Sequence, residues 1–568
     1  MSVASLFRTC PDTGFKVDMR AEALIKVNAV TAVIFLTIGG LMAVLLALTR
    51  WQAIHLLNSE WFYLILTAHG IDMLLVWIIF FEIGLLYFCC TVLLNSRLPT
   101  PRLAWLAYFL MLFGALSVNY IVLSGNSSVM FTAYPPMQAH WMFYLGIILF
   151  AVGALVGCFI FMAGVIVAKQ ERTYEGSIPL VTFGALTAAI IAIYSIAAGA
   201  IALIPTFLWS IGIISYIDPL MYKLVFWGVG HGTQQVNVSA HVAIWYAIGA
   251  IVVGAKPISE KVSRTAFLVY ILFLQLASAH HLLVEPGLSS EWKMFNTSYA
   301  MYLAVLGSMV HGLTVPGSIE LAQRQRGFTK GLFEWLRKAP WDNPAFSGMF
   351  LSLVLFGFLG GISGVVLGTE QINILMHNTL YVPGHFHATV VTGTTLAFMA
   401  LTYLVVPLLF RREIIWPTVA RWQPYVFGIG MGLFSVFMMG AGTLGVPRRH
   451  WDITFADANL GFEFPSTAHI MLALTGLSAI IAFIGGAMYV LVVVASILFG
   501  PKRVAGPSAR PIAAPTAAMA ISASPSGGAA AGALAVPGTF VLTLVFLGAF
   551  VAYYFVNWKY LSAIWEMR

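Results

Sequence analysis

The sequence predicts an all-α integral membrane protein: a twelve-helix bundle plus a thirteenth, C-terminal transmembrane helix, with the N-terminus inside and the C-terminus outside. Three observations predict this. Of 568 residues, 60% are hydrophobic and 9% charged, whereas a soluble domain carries about 25% charged residues. Thirteen apolar runs reach the ~18 residues that mark a span. Lysine and arginine collect on one side of those runs.

The runs lie at 26–49, 61–93, 103–124, 138–168, 179–204, 219–254, 265–286, 292–314, 343–367, 375–410, 422–442, 464–499 and 538–558. They are numbered spans 1 to 13 below. Alternating from an inner N-terminus puts 22 of the 29 Lys and Arg residues in inner segments. Arg50, Lys223, Lys293, Arg448, Arg449, Lys559 and Arg568 remain outside. That bias is the positive-inside rule. It also accounts for the net charge of +8 and the pI near 9.2, and no nucleic-acid motif accompanies them. Four segments follow: 1–25, a cytoplasmic N-terminal stretch without a cleavable signal; 26–499, the twelve-helix core; 500–537, an Ala/Pro/Gly/Ser-rich flexible linker; and 538–568, the additional helix and tail. Cys10, Cys89, Cys90 and Cys158 show no CxxC spacing, which argues against a zinc site or covalent heme attachment. Cys89 and Cys90, deep in span 2, read as packing residues.

Polar residues inside such a chain are costly and usually functional. His69 (span 2), His231 (span 6), His280 and His281 (span 7), and His385 and His387 (span 10) all fall in the outer half of the membrane. Imidazole is the commonest metal ligand. His385 and His387, two residues apart on a helix, point about 200° apart and serve opposite sides. His280 and His281, about 100° apart, can converge with His231 on a three-imidazole site with an open position, which suits copper or zinc. His69 remains to pair with one face of span 10. Two imidazoles saturate a heme iron for electron transfer, and one leaves a face for substrate. A secondary transporter with midplane histidines as proton relays is the competing class. It predicts no heme and an internal repeat, and no repeat is evident.

The constellation resembles subunit I of the heme–copper oxidoreductase superfamily, nearest its B-type oxygen reductases. The resemblance spans nearly all of the core. It is carried by "LTAHG" (66–70), "YPPM" (134–137), "SAHHL" (278–282), "HNTLYVPGHFH" (377–387) and "GVPRRH" (445–450). It implies that His69 and His387 bind a low-spin heme and His385 a high-spin heme. It implies that His231, His280 and His281 bind copper. His377 and Asn378 would then lie near a heme propionate, and Arg448 and Arg449 would neutralise propionates.

Span 6, "FWGVGHGTQQVNVSAHVAIWY" (226–246), departs from that pattern. In A- and B-type enzymes a tyrosine stands four residues after the span-6 copper histidine; here position 235 is glutamine. In C-type enzymes it stands six residues before the paired histidines; here that is Leu274. Tyr222 and Tyr246 lie more than ~13 Å along the helix axis from His231. Splitting O₂ in one step takes four electrons, and the tyrosine supplies the fourth. Coupling two NO molecules takes two, which the metals can supply alone. The departure therefore points to nitric oxide reduction, with terminal cytochrome c oxidase activity, with or without proton pumping, as the alternative. Gln235 and Asn237 are candidate hydrogen-bonding groups for bound NO or hyponitrite; for both to face the site the helix must be irregular, which Gly228, Gly230 and Gly232 allow.

Protons would reach the site from the inner side through Ser239, His241, Tyr246, Ser308, His311, Thr314 and Ser318, ending near Glu320. The chain has no CxxCH and no two-cysteine cupredoxin motif. A membrane-anchored cupredoxin- or cytochrome c-type subunit, fed by an external donor, would therefore deliver electrons. The resemblance implies a bacterial or archaeal inner membrane.

Overall fold

The computed structural model describes residues 6–10, 14–274, 276–455, 462–503 and 535–564. Most of the predicted linker (504–534) and the last four residues lie outside the described residues.

Among these residues, twelve helices are long and apolar enough to cross a membrane: spans 1 to 6 and 8 to 13. In lipid every backbone group must be satisfied within the helix, so the informative features are the ends and the breaks. Asn58 caps span 2 (Ser59–Thr91) by accepting from Trp61 N at 3.0 Å. Asp218 caps span 6 (Pro219–Val253) by accepting from Met221 N at 2.8 Å, with Pro219 at the first helical position, where its missing N–H costs nothing. Gly254, at φ 68°, ends that helix in the left-handed region that glycine tolerates.

Span 7 departs from the sequence reading. A helix over Glu260–Val269 passes into a π-turn, Tyr270–Leu274, and then a 3₁₀ turn, Ala277–Leu282. The tightened last turn lets His280 Nδ1 reach the Ala277 carbonyl at 2.7 Å. Span 10 is also shorter than predicted. Residues 370–376 form a separate helix, Glu370–Met376, and the span itself is Tyr381–Phe410. The break falls at Asn378, whose φ is 61°. There the Leu380 N–H donates to Val446 O at 2.8 Å, and the Arg448 N–H donates to Asn378 O at 2.8 Å. These bonds stitch the loop carrying Arg448 and Arg449 onto the segment carrying His377.

Spans 2, 6 and 10, which carry four of the six histidines, are the central helices. Their most apolar stretches are 78%, 78% and 72% buried, against 44% for span 1 and 33% for span 12. Close approach needs small residues. A Cβ on Gly384 of span 10 would lie 2.7 Å from Met439 N and 3.0 Å from Ser435 O of span 11.

Span 13 (Pro537–Lys559) is mostly lipid-facing, with 6% of its apolar stretch buried. Its N-terminal end is held by Glu320, whose two oxygens accept from Gly538 N (3.0 Å) and Thr539 N (2.6 Å) while Arg324 Nε donates at 2.7 Å. Near its other end Tyr553 hydrogen-bonds Tyr381 at 2.9 Å between hydroxyls. Glu320 is thus a wholly buried helix cap. Glu320→Gln, which weakens the cap and leaves Arg324 without its counter-charge, should cost ~1 kcal/mol. It should show as faster proteolytic release of span 13 from the detergent-solubilised chain.

Candidate functional site

His231, His280 and His281 converge: their candidate ligand atoms all lie within 4.8 Å of one another. Hydrogen bonds assign which nitrogens these are. His280 Nδ1 lies 2.7 Å from the Ala277 carbonyl and so carries a hydrogen, leaving Nε2 to face the cluster. His231 Nδ1 and His281 Nε2 lie 3.2 Å apart. The other nitrogen of His231, Nε2, lies 2.8 Å from the side-chain amide of Gln235, one turn along the same helix. Trp227 stacks on His281, with centroids 3.8 Å apart and planes 6° apart, and donates to the Tyr134 hydroxyl at 2.7 Å. Three converging imidazoles, His280 presenting Nε2, fit a copper ion.

His385 and His387 serve different cavities, as their spacing predicted. His387 opens on a cavity of 470 Å³ that His69 also lines. His69 Nδ1 bonds the Gly39 carbonyl at 3.0 Å and His387 Nδ1 the Pro383 carbonyl at 2.6 Å. Both Nε2 atoms are therefore left as unprotonated ligands, an arrangement that fits a bis-imidazole heme. His385 opens on a second cavity of 450 Å³, together with His231, Gln235 and His280. Its Nδ1 bonds Ser363 Oγ at 2.9 Å, and Gly364 lies where a Cβ would be 3.0 Å from the ring. One imidazole shares this second cavity with two of the three clustered imidazoles, which fits a heme with an open face beside a copper.

A small polar pocket of 90 Å³ adjoins both cavities and contains His377, Asn378, Arg448 and Arg449. Burial and the neighbouring Arg449 guanidinium pull Arg448 down to about 10. Burial, then Arg448, Lys223 and Arg449, push His377 down to about 4. Arg448 Nε is buried without a hydrogen-bond partner. Neither arginine meets a carboxylate among the described residues. A pocket this positive suits anions such as heme propionates.

Asn237 is elsewhere. With its NH₂ turned toward them, it donates to Glu82 Oε1 at 2.8 Å and Thr233 O at 3.2 Å, on another side of span 6. Span 6 is an unbroken α-helix, so Asn237 sits about 240° from His231 where Gln235 sits about 40° away. The irregularity that Gly228, Gly230 and Gly232 allow does not occur. Of the predicted proton path, Tyr246 joins Ser263, His311 and Thr314 through its hydroxyl at 3.0, 3.0 and 2.5 Å. Ser239 instead donates to the Gly184 carbonyl at 3.0 Å and His241 pairs with Thr394 at 3.0 Å, both outside that cluster. Ser318 donates to the Thr314 carbonyl at 2.5 Å.

Two residues at the site escaped the sequence reading. Gln234 lines both large cavities and the polar pocket; two consecutive amides within a span were the available signal. Tyr270 lines the 450 Å³ cavity, and the break in span 7 hid its register.

Residues 23–473 match the family described as cytochrome c and quinol oxidase polypeptide I. The chain is 31% identical over 438 residues to the cytochrome c oxidase subunit 1 of Thermus thermophilus, covering 76% of each chain. It is 25% identical over 449 residues to the heme-copper oxidase subunit I+III of Aeropyrum pernix, covering 74% of this chain and 50% of that protein. Its structure resembles a heme-copper terminal oxidase dimer solved by cryo-EM, with a TM-score of 0.80, 27% identity, and coverage of 95% of this chain and 92% of the other.

Proposed function

This chain belongs to the cytochrome c and quinol oxidase polypeptide I family, and on that premise we propose that it reduces nitric oxide: 2 NO + 2 e⁻ + 2 H⁺ → N₂O + H₂O. It is a multi-pass membrane oxidoreductase subunit of the heme–copper class, which binds a low-spin heme, a high-spin heme and copper. In our reading His69 and His387 hold the low-spin heme, His385 the high-spin heme, and His231, His280 and His281 the copper. His377, Asn378, Arg448 and Arg449 receive the propionates. When bound, these groups supply the electrons and hold the gas.

The observation that carries the choice of NO is the Gln235–His231 contact at 2.8 Å. One turn after the copper histidine, the residue against its outer nitrogen is an amide. An amide gives up neither a hydrogen atom nor an electron at accessible cost. The site therefore lacks, at this position, the fourth electron that one-step O₂ cleavage uses, and lacks nothing that a two-electron reaction uses.

Gln235 acts as a positioning residue. Its side-chain amide nitrogen lies 2.8 Å from His231 Nε2 and holds the ring from the side away from the three-histidine cluster. Loss of such a partner costs about 10–100-fold in metal affinity or activity. Gln235→Leu should show that loss as copper content and NO turnover, with heme content unchanged. Gln235→Tyr should not by itself create an oxidase.

The relatives named as subunit 1, and one named I+III, support assembly with other subunits. We place this chain with a membrane-anchored cupredoxin- or cytochrome c-type subunit and an external electron donor. We place it in a bacterial or archaeal inner membrane, N-terminus inside. The names of those relatives favour a second reading, reduction of O₂ to water. Labelled NO distinguishes the two. The holoenzyme, reduced anaerobically and given ¹⁵NO, should release ¹⁵N₂O at one per two NO consumed; no labelled N₂O would refute the proposal.

A further inference from the structure

We propose that Gln234 is the side chain that hydrogen-bonds the substrate: its amide binds the oxygen atoms of NO in the catalytic cavity. The sequence suggests that role for Gln235 and Asn237, and the structure gives both of them other partners. The proposal rests on the nitric oxide reading for its substrate, though not for its geometry. Gln234 is the one residue that lines the 450 Å³ cavity of His231, His280 and His385, the 470 Å³ cavity of His69 and His387, and the polar pocket of Arg448 and Arg449. It stands three residues after His231, about 4.5 Å along the helix axis and ~60° to one side, with Gln235 ~40° to the other.

The other amide and hydroxyl side chains on the wall of the catalytic cavity are already engaged. Gln235 holds His231 at 2.8 Å, Tyr270 and Ser308 bond each other at 2.9 Å, and Thr394 pairs with His241 at 3.0 Å. Thr389 and Thr543 donate to carbonyls of their own spans, each at 3.0 Å. The Thr539 hydroxyl has no partner, but Thr539 lies in the first turn of span 13, its N–H on Glu320. The Gln234 amide, one turn from His231, makes no hydrogen bond among the described residues. An amide inside a membrane is costly unless a partner completes it, and it is usually functional.

Heme propionates are the other anionic groups that such an amide could meet. The polar pocket already supplies charge for those from Arg448 and Arg449. Gln234 brings two neutral N–H donors, and these suit a small, weakly charged ligand.

The reaction uses such donors. As two NO molecules take up two electrons, negative charge grows on their oxygens. An N–N bond forms, one N–O bond breaks, and that oxygen leaves as water with both protons. Gln234 neither gives nor takes an atom. Its N–H groups are preorganised dipoles for the growing charge, and removing one such donor costs about 10²–10³ in kcat.

The test uses Gln234→Leu in the full complex. Carbon monoxide, a diatomic probe of the same cavity, should show an altered infrared stretch, because the N–H groups it meets are gone. NO turnover should fall about 10²-fold, in kcat more than in KM, with heme and copper content as in wild type. An unmoved CO band, or wild-type turnover, overturns the proposal. So does a change confined to the potential of the low-spin heme, which would put the amide on a propionate. Should Gln234→Leu lose heme or copper, Gln234→Met, unbranched and of similar length, is read by the same criteria. If wild type forms no ¹⁵N₂O from ¹⁵NO and the CO band still moves in the variant, the substrate is overturned while the contact with a bound diatomic stands. If ¹⁵N₂O forms and the variant behaves as wild type, the nitric oxide reading stands and the role of Gln234 falls.

Discussion

His280→Ala should leave a protein with both hemes and no copper, and turnover should fall by at least about 10³-fold, the equivalent of ~4 kcal/mol in the barrier. The argument is geometric. The three imidazoles converge from two elements, span 6 and the 3₁₀ turn of span 7, and their ligand atoms lie within 4.8 Å of one another. Removing His280 leaves two ligands and a hole beside the Ala277 carbonyl that it satisfied. The ring nitrogens of His69, His385 and His387 lean instead on Gly39, Ser363 and Pro383. Copper analysis and a pyridine hemochrome spectrum on the same preparation read the two metals separately. Loss of both hemes with the copper would show that the clusters are not independent in the way described.

His387→Ala should have the complementary effect. By our assignment the low-spin heme would lose one of the two imidazoles that hold it, while His385, on the other side of span 10, keeps its Ser363 bond and its own cavity. We expect the sharp low-spin absorption bands to disappear and the high-spin CO adduct to persist. Steady-state turnover with the external donor should fall about 10²-fold or more, because electrons enter through the lost centre; an axial ligand is one of the protein's main levers on a heme. Direct chemical reduction of the high-spin site, which bypasses that entry, should restore a single turnover.

Much of this site was legible from spacing. A separation of two residues on a helix sends His385 and His387 to opposite sides whatever surrounds them, and they do open on different cavities. Four residues bring Gln235 back to the face of His231. What spacing could not resolve was irregularity. For Asn237 to face the site the helix had to be irregular, which three glycines allowed, but packing kept span 6 straight and gave Asn237 to Glu82. Span 7 carries no glycine or proline between residues 265 and 282 to announce a break, yet it holds a π-turn and a 3₁₀ turn, and those turns bring Tyr270 to the cavity wall. Glu320, at the end of the expected proton path, also caps span 13, and nothing local reveals a helix cap 218 residues away in sequence. For Asn237 and Glu320 a long-range contact overrode a local rule.

The account as a whole turns on what an amide beside His231 permits. The most direct measurement is turnover of one preparation with one electron donor, anaerobically with NO and then aerobically with O₂. The account predicts that NO consumption exceeds O₂ consumption. Oxygen turnover far above that with NO would contradict it and return the chain to the oxygen reductases.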